Sequence, residues 1–252
     1  MRRLRAVARL CRCVVHGLHG LWIVLVRFPS LDAAGRQARI RWWSQKMLRQ
    51  IGIELRVEGT PAAAGGGSLL AVNHISWLDI MVVHAVVPEA RFVSKADVKA
   101  WPLVSRLVDG AGTLYLERER KRDALRVVHV MAAALGAGQT VAIFPEGTTS
   151  TGHGLLPFHA NLLQAAIATA TPVQPVALRF SDSSHAVSEA MEFVGATTML
   201  RSLWQSACGD GVVARLVFLP PRDSAGADRR ALAAQLRADI GAALGIPQPP
   251  EA

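Results

Sequence analysis

His74 and Asp79 have the residue types and spacing of a general base and the carboxylate that orients it. His74 follows the short apolar run Leu69-Leu70-Ala71-Val72. Ser76-Trp77-Leu78-Asp79 reads as the first turn of a helix, with Ser76 as its cap and Asp79 at the third helical position. Such a turn swings Asp79 back onto one imidazole nitrogen and leaves the other as a base aimed at a substrate hydroxyl. The alternative reading of Asp79 is an acid that complements the helix dipole. The sequence has no Gly-x-Ser-x-Gly nucleophile elbow. A base without an enzyme nucleophile points to direct transfer from donor to acceptor.

Two further blocks lie downstream. Phe144-Pro145-Glu146-Gly147-Thr148 follows the apolar run that starts at Thr140. Pro145 cannot donate to a strand ladder, so the strand ends there. Glu146 then sits on a strand-end loop, where Gly147 lets a ligand approach the backbone; otherwise this is a turn with a solvated acid. Gly112-Thr113-Leu114-Tyr115-Leu116-Glu117-Arg118 reads as a strand that delivers Arg118 at its end. Arginine suits bidentate anion recognition, although Arg118 also fits a charged helix entry.

The elements that must position these residues alternate. Strand candidates are 52–58, 68–72, 91–94, 112–116, 140–144, 173–179 and 212–219. Helix candidates are 76–87, 97–109, 120–136, 159–170, 199–207 and 226–244. That alternation predicts an α/β domain, a mixed sheet flanked by helices, over residues 51–245, with a frayed tail at 246–252. Strand ends in such a sheet line the ligand crevice.

Residues 1–50 form a separate N-terminal segment. They hold eleven Lys/Arg and one acid, Asp32, whereas the rest of the chain carries 17 bases and 18 acids. The bases are interleaved with apolar runs, which favours an anionic membrane surface over nucleic acid. Cys13 to Val26 carries no formal charge and is short for a full span. An uncleaved first helix that lies in or dips into one leaflet is expected, with a single N-terminal span as the alternative. After Pro29, Ser30 or Asp32 caps a second helix to about Gln50. Its stripe Ile40, Trp43, Met47 and Ile51 falls within about 80° and is read as membrane-facing, with a helix packed on the domain core as the alternative, so the two helices make a membrane-associated hairpin. Cys11, Cys13 and Cys208 cannot all pair within the chain, which fits a reduced compartment. Cys11, Cys13, His16 and His19 match no common zinc spacing, so no metal site is expected.

Asn73-His74-x4-Asp79, Gly112-x-Leu114-Tyr115-Leu116-x-Arg118, Phe144-Pro145-Glu146-Gly147-Thr148 and Val173-Gln174-Pro175-Val176 together, in this order, resemble the motifs of the 1-acylglycerol-3-phosphate acyltransferase type of glycerolipid acyltransferases. The resemblance spans about residues 40–220. It implies His74 as general base, Asp79 as its orienter, and Arg118, Glu146, Gly147 and Thr148 at the acceptor site. It adds Lys95 as a candidate for the acceptor phosphate and Pro175 near the acyl donor. It implies acyl transfer from acyl-CoA or acyl carrier protein to a lysolipid hydroxyl, with no cofactor beyond that co-substrate, and the N-terminal Arg cluster leads us to expect the cytoplasmic face of the inner membrane.

Two departures bear on the acceptor. Many phosphatidate-forming relatives have arginine where this chain has Thr149, and a Lys-x-Gly ending where it reads His159-Ala160-Asn161. Lysophosphatidate is the first expectation, and a lyso-ornithine lipid or another lysophospholipid the alternative. Outside this chemistry the rival is an inactive, lipid-binding protein on the same fold. A nucleotide-dependent enzyme is disfavoured because no Gly-x4-Gly-Lys-Ser/Thr occurs.

Overall fold

The computed structural model describes residues 2–62, 66–95, 102–116 and 121–247. The apolar runs become the strands of one seven-stranded sheet. They are β1 (Ile53–Glu58), β2 (Ser68–Val72), β3 (Arg91–Lys95), β4 (Leu114–Leu116), β5 (Thr140–Ile143), β6 (Val173–Ser181) and β7 (Val212–Phe218). Their spatial order is β1-β7-β6-β2-β5-β3-β4. Neighbours are parallel except β6 and β7, so the sheet is mixed. β2 and β5 are buried at every position, which explains why they read as unbroken apolar runs. β7 alternates buried and half-buried residues, the period of a strand whose two faces differ.

The helices are α1 (Arg2–Trp22), α2 (Ala33–Ile51), α3 (Leu78–His84), α4 (Pro102–Gly110), α5 (Lys121–Gly136), α6 (Gln164–Ala168), α7 (Met199–Cys208) and α8 (Arg229–Leu244). Several ends follow from local chemistry. Asp32 caps α2 by accepting the Gly35 N–H at 2.8 Å, and Gly52, at φ 96°, ends it. Asp228 caps α8 in the same way, and Gly245 closes it at φ 63°. The helix expected over 159–170 is instead a 3₁₀ turn, Ala160–Leu163, followed by the short α6. One buried cluster joins Val72, Val82, Phe180 and Leu216 on one face of the sheet. A second joins Leu69, Met131, Val141, Leu163 and Leu236 on the other.

The N-terminal pair is built into this body. A helical stretch from Arg2 to Ser30, which includes a π-helical turn at Ile23–Arg27, is long and apolar enough to cross a membrane. Leu4, Val14, Val15, Leu18, Leu25 and Val26 are exposed along it. The stripe on α2 is not, which corrects the membrane-facing expectation for that helix. Met47 and Ile51 belong to the first core cluster, together with Cys13 of α1. Trp43 is interlocked with α1: its indole N–H donates to the His16 carbonyl at 3.0 Å, and His16 Nε2 donates to the Trp43 carbonyl at 2.9 Å. The two rings stack at 5.2 Å. Part of the basic charge also faces protein. Arg9 donates to the carbonyls of Ala207 and Gly209 at 2.9 and 2.6 Å, and Arg5 pairs with Asp210 at 2.9 Å. Cys11 is exposed whereas Cys13 is buried, so the two point apart. Among the described residues no three metal-ligating side chains converge.

His84, at the end of α3, is a buried histidine that makes acid stability measurable. Nε2 donates to the Ala90 carbonyl at 2.9 Å, and Phe92 packs edge-on at 5.1 Å. Burial lowers its pKa from the ordinary 6.5 to about 4. Between those values the unfolded chain binds a proton that the folded chain refuses. Stability therefore falls as pH drops through this window, by about 1.4 kcal/mol per unit. His84→Gln, which keeps a donor for Ala90, should flatten the dependence of unfolding free energy on pH by about one proton. Urea titrations of both proteins from pH 4.5 to 6.5 measure this, and equal slopes would refute it.

Candidate active site

The sequence motifs meet because their strands are neighbours. β2 and β5 are parallel and paired, with Ala71 level with Ile143. His74 and Glu146 each lie three residues past that pair, so both emerge at the same C-terminal edge of the sheet. Asn73 fixes the exit of β2. Its side-chain amide donates to the Leu178 carbonyl at 2.9 Å, and its oxygen accepts the Leu178 N–H at 2.7 Å. The side chain thus imitates one more backbone pair with β6.

His74 Nδ1 lies 2.7 Å from Asp79 Oδ2. A carboxylate has only acceptors, so Nδ1 is the donor and Nε2 keeps its lone pair. Asp79 is fully buried, whereas the His74 side chain is 18% exposed. The same Oδ2 also accepts the N–H groups of Ile75 and Ser76 at 2.7 and 2.9 Å. Asp79 therefore caps the turn that precedes its own helix. This corrects the reading of Ser76 as the cap. α3 starts at Leu78 after Trp77, Asp79 is its second residue, and the Ser76 hydroxyl is buried without a partner. The imidazole lies flat on Phe144, with centroids 3.8 Å apart and planes within 8°, and Phe92 stacks behind at 5.3 Å. Ring stacking and the Asp79 bond together fix the plane and direction of the imidazole.

Glu146 is buried at 2% exposure. Oε1 accepts the His74 N–H at 2.7 Å, and Oε2 accepts the Leu156 N–H at 2.9 Å. Burial raises its pKa above the ordinary carboxylate range, and those two N–H groups oppose the rise. The His74 carbonyl accepts the Ser150 N–H at 2.8 Å, and the Ile75 carbonyl accepts the Phe193 N–H at 3.2 Å. The N–H groups of residues 74 to 76 are thus all taken by carboxylates, and the turn itself offers no backbone donor to an oxyanion. On the next turn, Gly147 has φ 69°, and a Cβ there would press on the His159 ring. Thr148 is exposed. Thr149 donates its hydroxyl to the Phe193 carbonyl.

The structure thus brings His74, Asp79, Glu146, Gly147 and Thr149 into one constellation. Lys95 ends β3, beside β5 and three residues beyond the pair Phe92–Ala142, at the same edge of the sheet. Its side chain is not among those described. Arg118 lies outside the described residues. Pro175 is level with Ala71 inside the sheet, upstream of the edge that carries His74. The residues that support His74, namely Phe144, Asn73, Ser150, Leu156 and Phe193, carry no chemistry of their own. Only Asn73 and Phe144 fell within recognisable motifs.

The family model described as Acyltransferase matches residues 54–179. The lyso-ornithine lipid O-acyltransferase of Pseudomonas aeruginosa is 36% identical over 251 residues, covering 97% of this chain and 95% of that protein. A 1-acyl-sn-glycerol-3-phosphate acyltransferase of Neisseria meningitidis is 36% identical over 198 residues, covering 77% and 75%. The fold matches the crystal structure of the 1-acyl-sn-glycerophosphate acyltransferase PlsC of Thermotoga maritima. That match has a TM-score of 0.67 at 20% identity and covers 94% and 96% of the two chains. A matched domain that carries the paired histidine and aspartate, and relatives of nearly equal length, make this chain an O-acyltransferase of the glycerolipid and lysophospholipid acyltransferase family.

Proposed function

We propose that this protein moves a fatty acyl group from acyl-CoA or acyl carrier protein to the free hydroxyl of a lysolipid by direct attack, with His74 as general base. The observation that carries this is the His74–Asp79 pair, whose free Nε2 has no protein hydroxyl or thiol bonded to it among the described residues. Nε2 takes the proton of the acceptor hydroxyl as its oxygen attacks the thioester carbonyl carbon. The tetrahedral intermediate collapses with cleavage of the carbon–sulfur bond. The imidazolium, held by Asp79, returns its proton to the departing thiolate. The exposed apolar side of α1, next to exposed Arg3 and Arg12, docks the protein on the anionic cytoplasmic leaflet where a lysolipid resides.

For the acceptor we favour a lyso-ornithine lipid. Position 149 carries a neutral threonine whose hydroxyl is engaged by Phe193, so it supplies no charge to a phosphate. The Pseudomonas relative named for that lipid matches nearly the whole chain. Lysophosphatidate is the second reading, favoured by the Neisseria relative and by Lys95 at the same sheet edge. The test offers the detergent-solubilised protein palmitoyl thioesters of CoA and carrier protein with each lysolipid. A preference for lyso-ornithine lipid of about 10-fold or more in kcat/KM, about 1.4 kcal/mol in the transition state, is expected. The reverse preference selects lysophosphatidate. Folded protein that binds lysolipid but transfers to neither would overturn the enzymatic reading of this site.

A further inference from the structure

We infer that Arg237, on α8 and outside every motif, is a positioning residue for the catalytic base and acts through Leu156 and Glu146. The Arg237 guanidinium holds two successive carbonyls, with Nε donating to Leu156 at 3.1 Å and Nη2 to Leu155 at 2.6 Å. A planar fork of donors suits this task, which a single ammonium meets less completely. Among the described residues Arg237 forms no ion pair. Leu155 anchors the same peptide from its apolar side, in a cluster with Ala177, Ile240 and Leu244. With its carbonyls and side chain fixed, the peptide aims the Leu156 N–H at Glu146 Oε2, 2.9 Å away. The other oxygen of Glu146 holds the His74 N–H at 2.7 Å.

Three links therefore run in series from α8 to the backbone of the base: the paired bonds of Arg237, then the Leu156 N–H, then the His74 N–H. Glu146 is the sensitive link. At 2% exposure it is shielded from solvent that could replace a lost N–H, with the Ser150 hydroxyl as a further neighbour, and burial already favours its protonated form. When the 155–156 peptide drifts, the carboxylate loses a donor and its grip on the His74 N–H weakens. The imidazole keeps its Asp79 bond but rides on a displaced peptide. Small displacements of a reacting group lower the rate without changing what is bound.

This inference rests on the reading of His74 as base, and the test separates the two. The full-length protein is assayed in detergent with whichever lysolipid it acylates. Arg237→Ala is expected to lower kcat roughly 10-fold with the acceptor KM within about 2-fold. Arg237→Lys, which keeps one donor of the fork, should restore part of the rate. Arg230→Ala, on the same helix, should leave the rate unchanged. In a Glu146→Gln background the Arg237→Ala effect should largely vanish, because the series is already broken. Unchanged kcat in Arg237→Ala overturns the inference. So does an equal loss in the Glu146→Gln background, which means that Arg237 acts independently. A loss that disappears on assay at low temperature, with a lowered unfolding midpoint, also overturns it by showing a stability effect alone. Wild-type turnover in His74→Ala would instead defeat the parent reading, whatever Arg237 does.

Discussion

His74→Ala is expected to lower acyl transfer by about 10²–10⁴-fold, the usual worth of a well-placed general base, while fold and membrane association persist. The fold should persist because the histidine side chain contributes little to the core. It is partly exposed and meets the protein through one hydrogen bond and one ring face. The backbone bonds of residue 74 to Glu146 and Ser150 do not depend on the side chain. Asp79 Oδ2 keeps the Ile75 and Ser76 N–H groups when the imidazole is gone, so no bare charge is stranded. The loss should therefore appear in kcat, with the unfolding midpoint nearly unchanged. Single-turnover transfer of a labelled acyl group, beside thermal unfolding of the same preparation, tests both halves. Near-wild-type turnover would exclude His74 as the base. A large fall in the midpoint would show that the ring is structural.

How much of this was legible in the sequence differs by element, for physical reasons. All seven strands were visible, for different reasons: β2 and β5 as unbroken apolar runs because parallel strands buried on both faces read that way, β7 by its alternation, and the mostly exposed β1 by its alternating Ile53, Leu55 and Val57. The start of α3 was misread because Ser76 looks like a cap. Its hydroxyl is instead buried, and the N–H groups it should have served are taken by Asp79, the residue that also holds the His74 ring. A single carboxylate performing both tasks has no local signature. The stripe on α2 was misassigned because amphipathic periodicity does not distinguish lipid from protein as the covering surface. What decides it is the reciprocal bonding of Trp43 and His16, a contact between helices that spacing does not reveal. Glu146 was recognisable as an acid on a strand-end loop. That both its oxygens accept backbone N–H groups depends on the return of the chain at Leu156, ten residues on.

Asp79→Asn should be milder than the loss of a triad carboxylate usually is, and the reason lies in the three donors on one oxygen. In a triad whose aspartate faces only the histidine, an asparagine can turn its amide toward the ring and impose the wrong tautomer. Here two backbone N–H groups share Oδ2 with His74. An amide nitrogen at that point would face two donors, so the asparagine must keep its oxygen there. His74 Nδ1 still donates, and Nε2 still carries the lone pair. What is lost is the negative charge that stabilises the imidazolium. At about 4 Å and an effective permittivity of about 20 that charge is worth at most about 4 kcal/mol, so a fall in kcat of about 10²–10³-fold is expected. The amide nitrogen takes the place of Oδ1, which is buried without a partner, and its unmet hydrogen bonds cost about 1–3 kcal/mol of stability. Asp79→Ala removes charge and cap together, leaves both backbone donors unpaired, and should lose rate and folded protein alike. Acceptor KM, kcat and unfolding free energy of the two variants test this. A KM that rises as kcat holds would move Asp79 from base orientation to acceptor binding. Equal damage from asparagine and alanine would mean that the amide does not hold the two backbone donors as the carboxylate does.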